Sequence, residues 1–167
     1  MSMQWLLARA PGFSNLTVEE RDAIADFSLL WSLFEARVLN NAANGRSILA
    51  AVVSWNEAKT LQAEAYARQL AYFRQRYFDN AEFTHRFHDL YLRPKGDQKS
   101  LVQSVINGNT NDPCSQVATV LIIILRYRNN LFHGMKWQYE LAGQLDNFTN
   151  ANSALMTALE QHGRLQE

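Results

Sequence analysis

A short stretch in the second half of the chain combines residue types that act on phosphate esters. It reads Arg128-Asn129-Asn130-Leu131-Phe132-His133. His133 can exchange a proton near neutral pH, whereas Arg128 is permanently charged and its planar fork matches two phosphate oxygens. Asn129 or Asn130 could hold a ribose or orient the histidine. The stretch therefore offers proton transfer and charge stabilisation at a phosphate group.

The sequence before this stretch predicts a long helix that positions it. Asp112 followed by Pro113 suits an N-cap and a first helical turn, where the missing proline N–H would have no partner anyway. Residues 117–125 are almost continuously apolar, and a helix that is apolar on all sides belongs in the interior of a bundle. Gly134 suits the left-handed residue just beyond a helix C-terminus. We therefore predict a helix from Pro113 to His133, with its polar end at the edge of a core.

Helical spacing decides which of these side chains share a face. At roughly 100° per residue, Asn129 lies about 40° from His133, and Arg126 and Asn130 are also close to that face. Arg128 lies about 140° around the helix from His133 and roughly 7.5 Å along its axis. Arg128 and His133 can meet one ligand if the last turn loosens, if the arginine curls round, or if a second copy of the chain contributes one of them.

The stretch resembles the signature of the HEPN superfamily, in which an Arg, a polar residue and a His follow one another with four to six residues between Arg and His. Gly134-Met135-Lys136 strengthens the resemblance. Arg126 also satisfies the spacing, so the identity of the acting arginine stays open, although the Arg-Asn order favours Arg128. The resemblance implies an antiparallel helical bundle that dimerises through the motif helix. It also implies a metal-independent endoribonuclease of the toxin or phage-defence type, restrained by an antitoxin or a sensor protein.

In that reaction the ribose 2′-hydroxyl attacks the adjacent phosphorus and expels the 5′-oxygen. His133 would act as base or acid, and Arg128 would stabilise the charge on the phosphorane. Lys136 could add phosphate attraction, and a dimer would supply two copies of His133. The products would be a 2′,3′-cyclic phosphate and a 5′-hydroxyl. Neither a metal nor another cofactor is required, and DNA should resist because it lacks the nucleophile.

Two other interpretations use the same residues. HEPN-like proteins include catalytically inactive members that bind nucleotides or proteins, and this chain could be such a binding module. Alternatively, Arg128 and the asparagines cap the helix while His133 merely packs, in a dimeric bundle with no ligand site. The presence of both Arg128 and His133 favours the enzyme, because a binding module could dispense with the histidine.

Composition limits the remaining possibilities. The chain has 167 residues, 47% of them hydrophobic, which suits a single domain over residues 1–167 with an arm at 1–16 and a tail at 163–167. Its 16 basic and 16 acidic side chains cancel, so RNA would bind at a local patch rather than over a basic surface. Cys114 is the only cysteine, and no segment resembles a signal peptide or a membrane span. We therefore expect a cytoplasmic protein that does not bind membranes.

The first long helix carries one more candidate residue. Thr17 to Glu20 has the spacing of a capping box, and apolar residues then recur every three or four positions. Glu35 lies beside this apolar stripe. A carboxylate there can orient a catalytic His or Arg, or can simply point to solvent. The sequence leaves both possibilities open.

The other segments complete an all-α bundle of five or six helices. Residues 47–77 are strong helix formers and predict one long helix or two with a kink. A second capping-box pattern at 79–82 predicts a helix to Leu92, followed by short and long helices at 98–106 and 137–159. Glu82-Phe83-Thr84-His85 matches half of a di-iron motif, but no second copy exists, so we expect no metal site. Arg93, Lys95 and Lys99 are better explained as an ordinary solvated turn than as part of an RNA patch.

Overall fold

The computed structural model describes residues 2–133 and 141–165. Within them, two residue pairs form a small hairpin, β1 (Phe78–Asp79) and β2 (Glu82–Phe83). The α-helices are α1 (Ser2–Arg9), α2 (Val18–Val38), α3 (Gly45–Glu57), α4 (Ala67–Tyr77), α5 (His85–His88), α6 (Lys99–Ile106), α7 (Pro113–Phe132) and α8 (Leu145–His162). Two short 3₁₀ turns lie at Phe13–Asn15 and Ala63–Tyr66. The all-α class is confirmed, and α2, α3, α4, α7 and α8 are the long elements.

Helix α7 is the centre of the molecule. Every residue from Val117 to Tyr127 is buried, as the continuous apolar run predicted. It packs against α3, α4, α6 and α8, while α2 lies along α8 and turns Phe27, Trp31 and Phe34 inward. Burial on all sides fixes the rotation of α7 about its axis, so the direction of each polar side chain at its end is set by the core.

The predicted limits of the motif helix are confirmed to within one residue. The side chain of Asp112 accepts a hydrogen bond from the Ser115 N–H at 2.9 Å, and Pro113 opens the helix. Phe132 is its last residue, and His133 is the C-cap, with its N–H bonded to the carbonyl of Asn129 at 2.9 Å. Gly134, which we predicted to end the helix, lies outside the described residues.

The predicted capping box also holds two helices together. Thr17 and Glu20 bond each other's backbone N–H groups at 3.0 and 3.1 Å. The second carboxylate oxygen of Glu20 accepts the N–H of Gly143, just before α8. Gly143 has φ +74°, a left-handed conformation that favours glycine. Among the described residues, the closing helix runs from Leu145 to His162, and the predicted start at Trp137 lies outside them.

Residues 47–77 lie in two helices, one of the two alternatives predicted, although a loop and a 3₁₀ turn separate them instead of a kink. The break follows Glu57, where Lys59 adopts a left-handed conformation with φ +58°. The N–H groups of Thr60 and Leu61 turn back to the carbonyl of Trp55, at 2.9 and 3.2 Å. These bonds satisfy the Trp55 carbonyl near the end of α3, so a chain of good helix formers can stop without a glycine or a proline.

The helix predicted from residue 79 is wrong at its start, because the chain forms a hairpin there. Asn80 and Ala81 both have positive φ angles, 48° and 63°, which is the geometry of a tight two-residue hairpin turn. Across it, the rings of Phe78 and Phe83 pack with their centres 5.2 Å apart. Only one turn of helix, α5, follows Thr84. The capping-box pattern considered only residues 79–82, whereas the contact between Phe78 and Phe83 forms only when the two strands pair.

The N-terminal arm contains a short helix. Residues 2–9 form α1, and Leu6 is partly buried against the core. Trp5 is 63% exposed. An eight-residue helix has little stability of its own, so this contact and the buried Phe13 after it anchor the segment.

His162 makes stability depend on pH. Its ring stacks on Trp55 with centres 3.8 Å apart, and burial lowers its pKa below the ordinary value of about 6.5. The unfolded chain therefore takes up this proton at a higher pH than the folded chain, and folding free energy is lost as the pH falls from about 6.5 towards the folded pKa. We expect His162→Phe, which keeps a ring on Trp55, to lose less stability between pH 7.5 and 5.5 in urea unfolding. Equal losses in the two proteins would contradict this assignment.

Candidate functional site

Arg128 lies near the end of α7, and its guanidinium has three neighbours. Nη1 donates to Asn129 Oδ1 at 3.2 Å, and Nη2 lies 3.7 Å from Glu35 Oε2. The guanidinium carbon is 5.5 Å from the centre of the Phe132 ring, one turn further along. About a third of the side chain is exposed, and its buried Nε has no hydrogen-bond partner among the described residues. Arg128 is thus held in place while it retains capacity to bind an anion.

Glu35 links this arginine to the core. Its Oε2 accepts a hydrogen bond of 2.7 Å from the indole Nε1 of Trp31, and Trp31 is buried. The same oxygen faces Arg128. Of the two possibilities that the sequence left open for Glu35, the structure therefore places the carboxylate towards the motif. A rigid indole, a carboxylate and a guanidinium follow one another from the core to the surface.

His133 lies at the surface as the last residue of the motif. It is exposed, and so is Phe132, with 57% of its surface accessible. The α-helix stays regular to Phe132, so the last turn does not loosen to bring His133 round to Arg128. Asn129 contacts both residues, because its side chain binds Arg128 and its carbonyl binds the N–H of His133. The arginine and the histidine therefore share a helix end without sharing a face.

Arg126 and Asn130 do not join this group. Arg126 is buried, with Nε donating to the carbonyl of Leu90 at 2.8 Å and Nη1 to Asp97 Oδ2 at 3.2 Å. Asn130 lies beside it and donates to the carbonyl of Asp89 at 3.2 Å. Both were candidates for binding substrate, but the side chains of both form hydrogen bonds with the loop that follows α5. Between the two arginines that fit the motif spacing, Arg128 is the one with access to a ligand.

Asp97 was not predicted to matter, although it organises that buried network. It is fully buried and accepts hydrogen bonds from the backbone and the guanidinium of Arg93 at 2.8 to 3.0 Å. Burial would raise the pKa of Asp97, but the bonds from Arg93 and the charge of Arg126 outweigh burial and hold it below its ordinary value. In the sequence, only the spacing of four residues between Arg93 and Asp97 could have indicated this ion pair.

The loop that carries Asp97 packs so closely against the start of α3 that a glycine is needed there. Gly45, the first residue of α3, donates its N–H to the carbonyl of Gly96 at 3.0 Å. A Cβ at Gly45 would lie 2.7 Å from that oxygen and 2.9 Å from the Cα of Asp97, closer than atoms can approach.

Of the basic residues predicted to lie in a solvated turn, Arg93 is bonded to Asp97, while Lys95 is exposed as expected. Lys136, our remaining phosphate-binding candidate, lies outside the described residues.

The half di-iron pattern is divided by the fold. Glu82 is in strand β2, whereas His85 opens α5, so the two do not lie on one helix face. Within residues 2–133 and 141–165, the structure brings no three His, Cys, Asp or Glu side chains together as potential metal ligands. In the same residues, no helix has the length and apolar character needed to cross a membrane.

Comparison with known proteins adds no relative. No protein-family model, curated protein or solved structure gives a significant match to this chain. The case for a function therefore depends on the residues and their geometry.

Proposed function

We propose that this protein is a metal-independent endoribonuclease that resembles the HEPN superfamily, with Arg128 and His133 as its catalytic residues. The observation that carries the proposal is the end of α7. There a partly exposed arginine, fixed by Glu35, precedes an exposed histidine on a helix held rigidly by the core. Transfer of the phosphoryl group from the 5′-oxygen to the ribose 2′-hydroxyl needs charge stabilisation that is already in place and a side chain that can accept or donate a proton.

In the proposed reaction, a His133 side chain removes the proton of the 2′-hydroxyl, and the 2′-oxygen forms a bond to the adjacent phosphorus. The bond from phosphorus to the 5′-oxygen breaks, and that oxygen takes a proton from a second His133 or from water. Arg128 donates to the non-bridging oxygens as charge builds on the phosphorane. Asn129, already bonded to Arg128, keeps the guanidinium oriented.

The geometry favours a site built from two chains. Arg128 and His133 lie about 140° apart on a regular helix, and Arg128 leans towards Glu35 on α2. A second copy packed on the end of α7 would bring its own histidine opposite this arginine. Phe132, large and exposed between the two residues, supplies apolar area for such a contact. An antitoxin or a sensor protein that covers this helix end would restrain the enzyme.

Glu35 is proposed to position Arg128. Glu35→Gln keeps an oxygen for the Trp31 indole but removes the charge that faces Arg128, so we expect about tenfold slower RNA cleavage with folding unchanged. Glu160→Gln, an exposed substitution on α8, is the matched control. The measurement is kcat and KM on a labelled RNA, with thermal unfolding of each variant. An effect confined to stability would rule out the positioning role.

The test of the function is cleavage of labelled RNA in EDTA, with analysis of the new ends. We expect cuts that leave 2′,3′-cyclic phosphate and 5′-hydroxyl groups, and no cuts where the attacking ribose is replaced by 2′-deoxyribose. Arg128→Ala should abolish the activity, whereas Arg68→Ala, at an exposed position on α4, should retain it. Equal cutting by both variants would identify a contaminating nuclease. Binding of RNA that requires Arg128 but produces no cuts would instead select the catalytically inactive binding module.

A further inference from the structure

A second site candidate is a cavity on another face of α7. Its volume is about 340 Å³, at the lower end of the range for small-molecule pockets. From α7, Tyr127 and Asn130 contribute to its wall, about 100° and 160° around the helix from Arg128. The cavity is therefore distinct from the helix end that carries Arg128 and His133.

The floor of this cavity is a closed hydrogen-bond network. The hydroxyls of Tyr77 and Tyr127 lie 2.5 Å apart, and Tyr127 donates onward to Asn147 Oδ1 at 3.1 Å. Tyr72 donates to the same oxygen at 2.8 Å, and the amide of Asn147 donates to Gln144. Burial raises the pKa of Tyr77 to about 12, so its hydroxyl stays neutral. These groups satisfy one another and shape the cavity.

Two cationic side chains contribute to the wall. Arg76 and Arg86 both line the cavity, and neither forms a salt bridge with a carboxylate among the described residues. Within residues 2–133 and 141–165, the buried Nε of Arg76 has no hydrogen-bond partner, and its guanidinium carbon lies 5.9 Å from the centre of the Tyr77 ring. A buried guanidinium donor without an acceptor is costly, and a bound anion would supply the acceptor.

The small hairpin brings these two arginines together. Arg76 is in the last turn of α4, and Arg86 is in α5, on the other side of β1 and β2. Thr84 closes the connection, because its hydroxyl donates to the carbonyl of Arg76 at 3.0 Å and its N–H to that of Tyr77 at 3.0 Å. Both guanidinium groups line the same cavity, where their positive charges repel each other unless an anion binds both.

The rim suits an organic phosphate rather than a bare ion. Tyr91 lies at the rim, half exposed, with a left-handed φ of +52° that is strained for an aromatic residue. Its ring can pack on a flat group outside the cationic wall. His85 also lines the cavity, and among the described residues Asp89 is the one carboxylate in the lining. The volume far exceeds the ~30 Å³ of one water.

We propose that this cavity binds the phosphate group of a small phosphate monoester, of the size of a nucleoside monophosphate, through Arg76 and Arg86. The phosphate contacts the two guanidinium groups, and the organic part extends towards Tyr91. Because this pocket and the helix end use different residues, occupancy here does not require RNA cleavage by Arg128 and His133.

The test is isothermal titration of AMP and UMP into the full chain, with inorganic phosphate and adenosine as companion probes. We expect both nucleotides to bind, and adenosine to bind at least tenfold more weakly. Arg86→Gln, an exposed substitution, should raise the Kd at least tenfold, as should Arg76→Gln. Arg68→Gln on α4 is the matched control and should bind like the wild type.

Three outcomes would overturn the proposal. They are no binding of AMP, UMP or phosphate at about 10 mM, adenosine binding as tightly as AMP, and an unchanged Kd in Arg86→Gln. Arg128→Ala separates the two sites, since we expect it to bind AMP normally. Loss of AMP binding in Arg128→Ala but not in Arg86→Gln would move the nucleotide to the end of α7 and reject this pocket.

Discussion

Replacing His133 with alanine is expected to lower the rate of RNA cleavage by about 10²–10⁴-fold, the usual contribution of a general acid or base. His133 caps α7 with its backbone and exposes its side chain, so the substitution should leave the fold intact. Cleavage would be measured under single-turnover conditions with labelled RNA in EDTA. His88→Ala, another exposed histidine, is the matched control. Retention of most of the activity in His133→Ala would remove the histidine from the mechanism.

Mixing two inactive variants tests whether the site is shared between chains. Arg128→Ala and His133→Ala proteins would be combined after mild denaturation and refolding. If each site takes its arginine from one copy and its histidine from the other, a mixed dimer contains one complete site. Half of the dimers are mixed, so about a quarter of the wild-type rate should return. No recovery at any mixing ratio would exclude this arrangement.

The largest loss of stability is expected for Asp97→Ala, at about 3–5 kcal/mol. The substitution leaves Arg126 buried without its counter-charge, and uncompensated buried charge is among the most costly defects in a fold. Urea unfolding followed by circular dichroism at pH 7 would measure the loss. Asp26→Ala, an exposed carboxylate on α2, is the control and should change stability by less than about 0.5 kcal/mol.

Because the pKa of Asp97 differs between the folded and unfolded states, we expect the stability of the protein to depend on pH. The pKa of Asp97 is lowered in the folded protein, so its contribution is complete above the unfolded pKa of about 3.8 and is lost as the pH falls towards the folded pKa. The difference in stability between the wild type and Asp97→Asn should therefore narrow below about pH 4. A loss for Asp97→Ala no greater than that for Asp26→Ala would mean that the network can rearrange without the carboxylate.

Local patterns were sufficient where a helix depends on its own residues. The cap at Asp112, the capping box at Thr17 and the apolar run of α7 set their helices through contacts within three or four positions. Such contacts can be predicted because helical geometry fixes them. The all-α class and the position of the motif at a helix end follow from these features.

The tertiary structure decided which polar residues became a candidate site. Arg126 and Arg128 are two positions apart and fit the motif spacing equally, yet one binds buried Asp97 and the other binds Glu35 near the surface. Helical spacing places them on opposite sides of α7, but it does not say which neighbour lies on each side. That depended on how the loop around Asp97 and helix α2 pack against α7.

The hairpin of β1 and β2 is a second feature that local sequence patterns could not predict. Residues 79–82 carry the letters of a helix cap, and helix propensity differs between residues by only a few tenths of a kcal/mol. The contact between Phe78 and Phe83, with Thr84 bonded back to Arg76, outweighed that preference. The sequence by itself determined the helices and the chemistry available at the end of α7. Packing between distant segments determined that Glu35 meets Arg128, because that contact joins residues far apart in the chain, and the hairpin between α4 and α5 determined that Arg76 and Arg86 line one cavity.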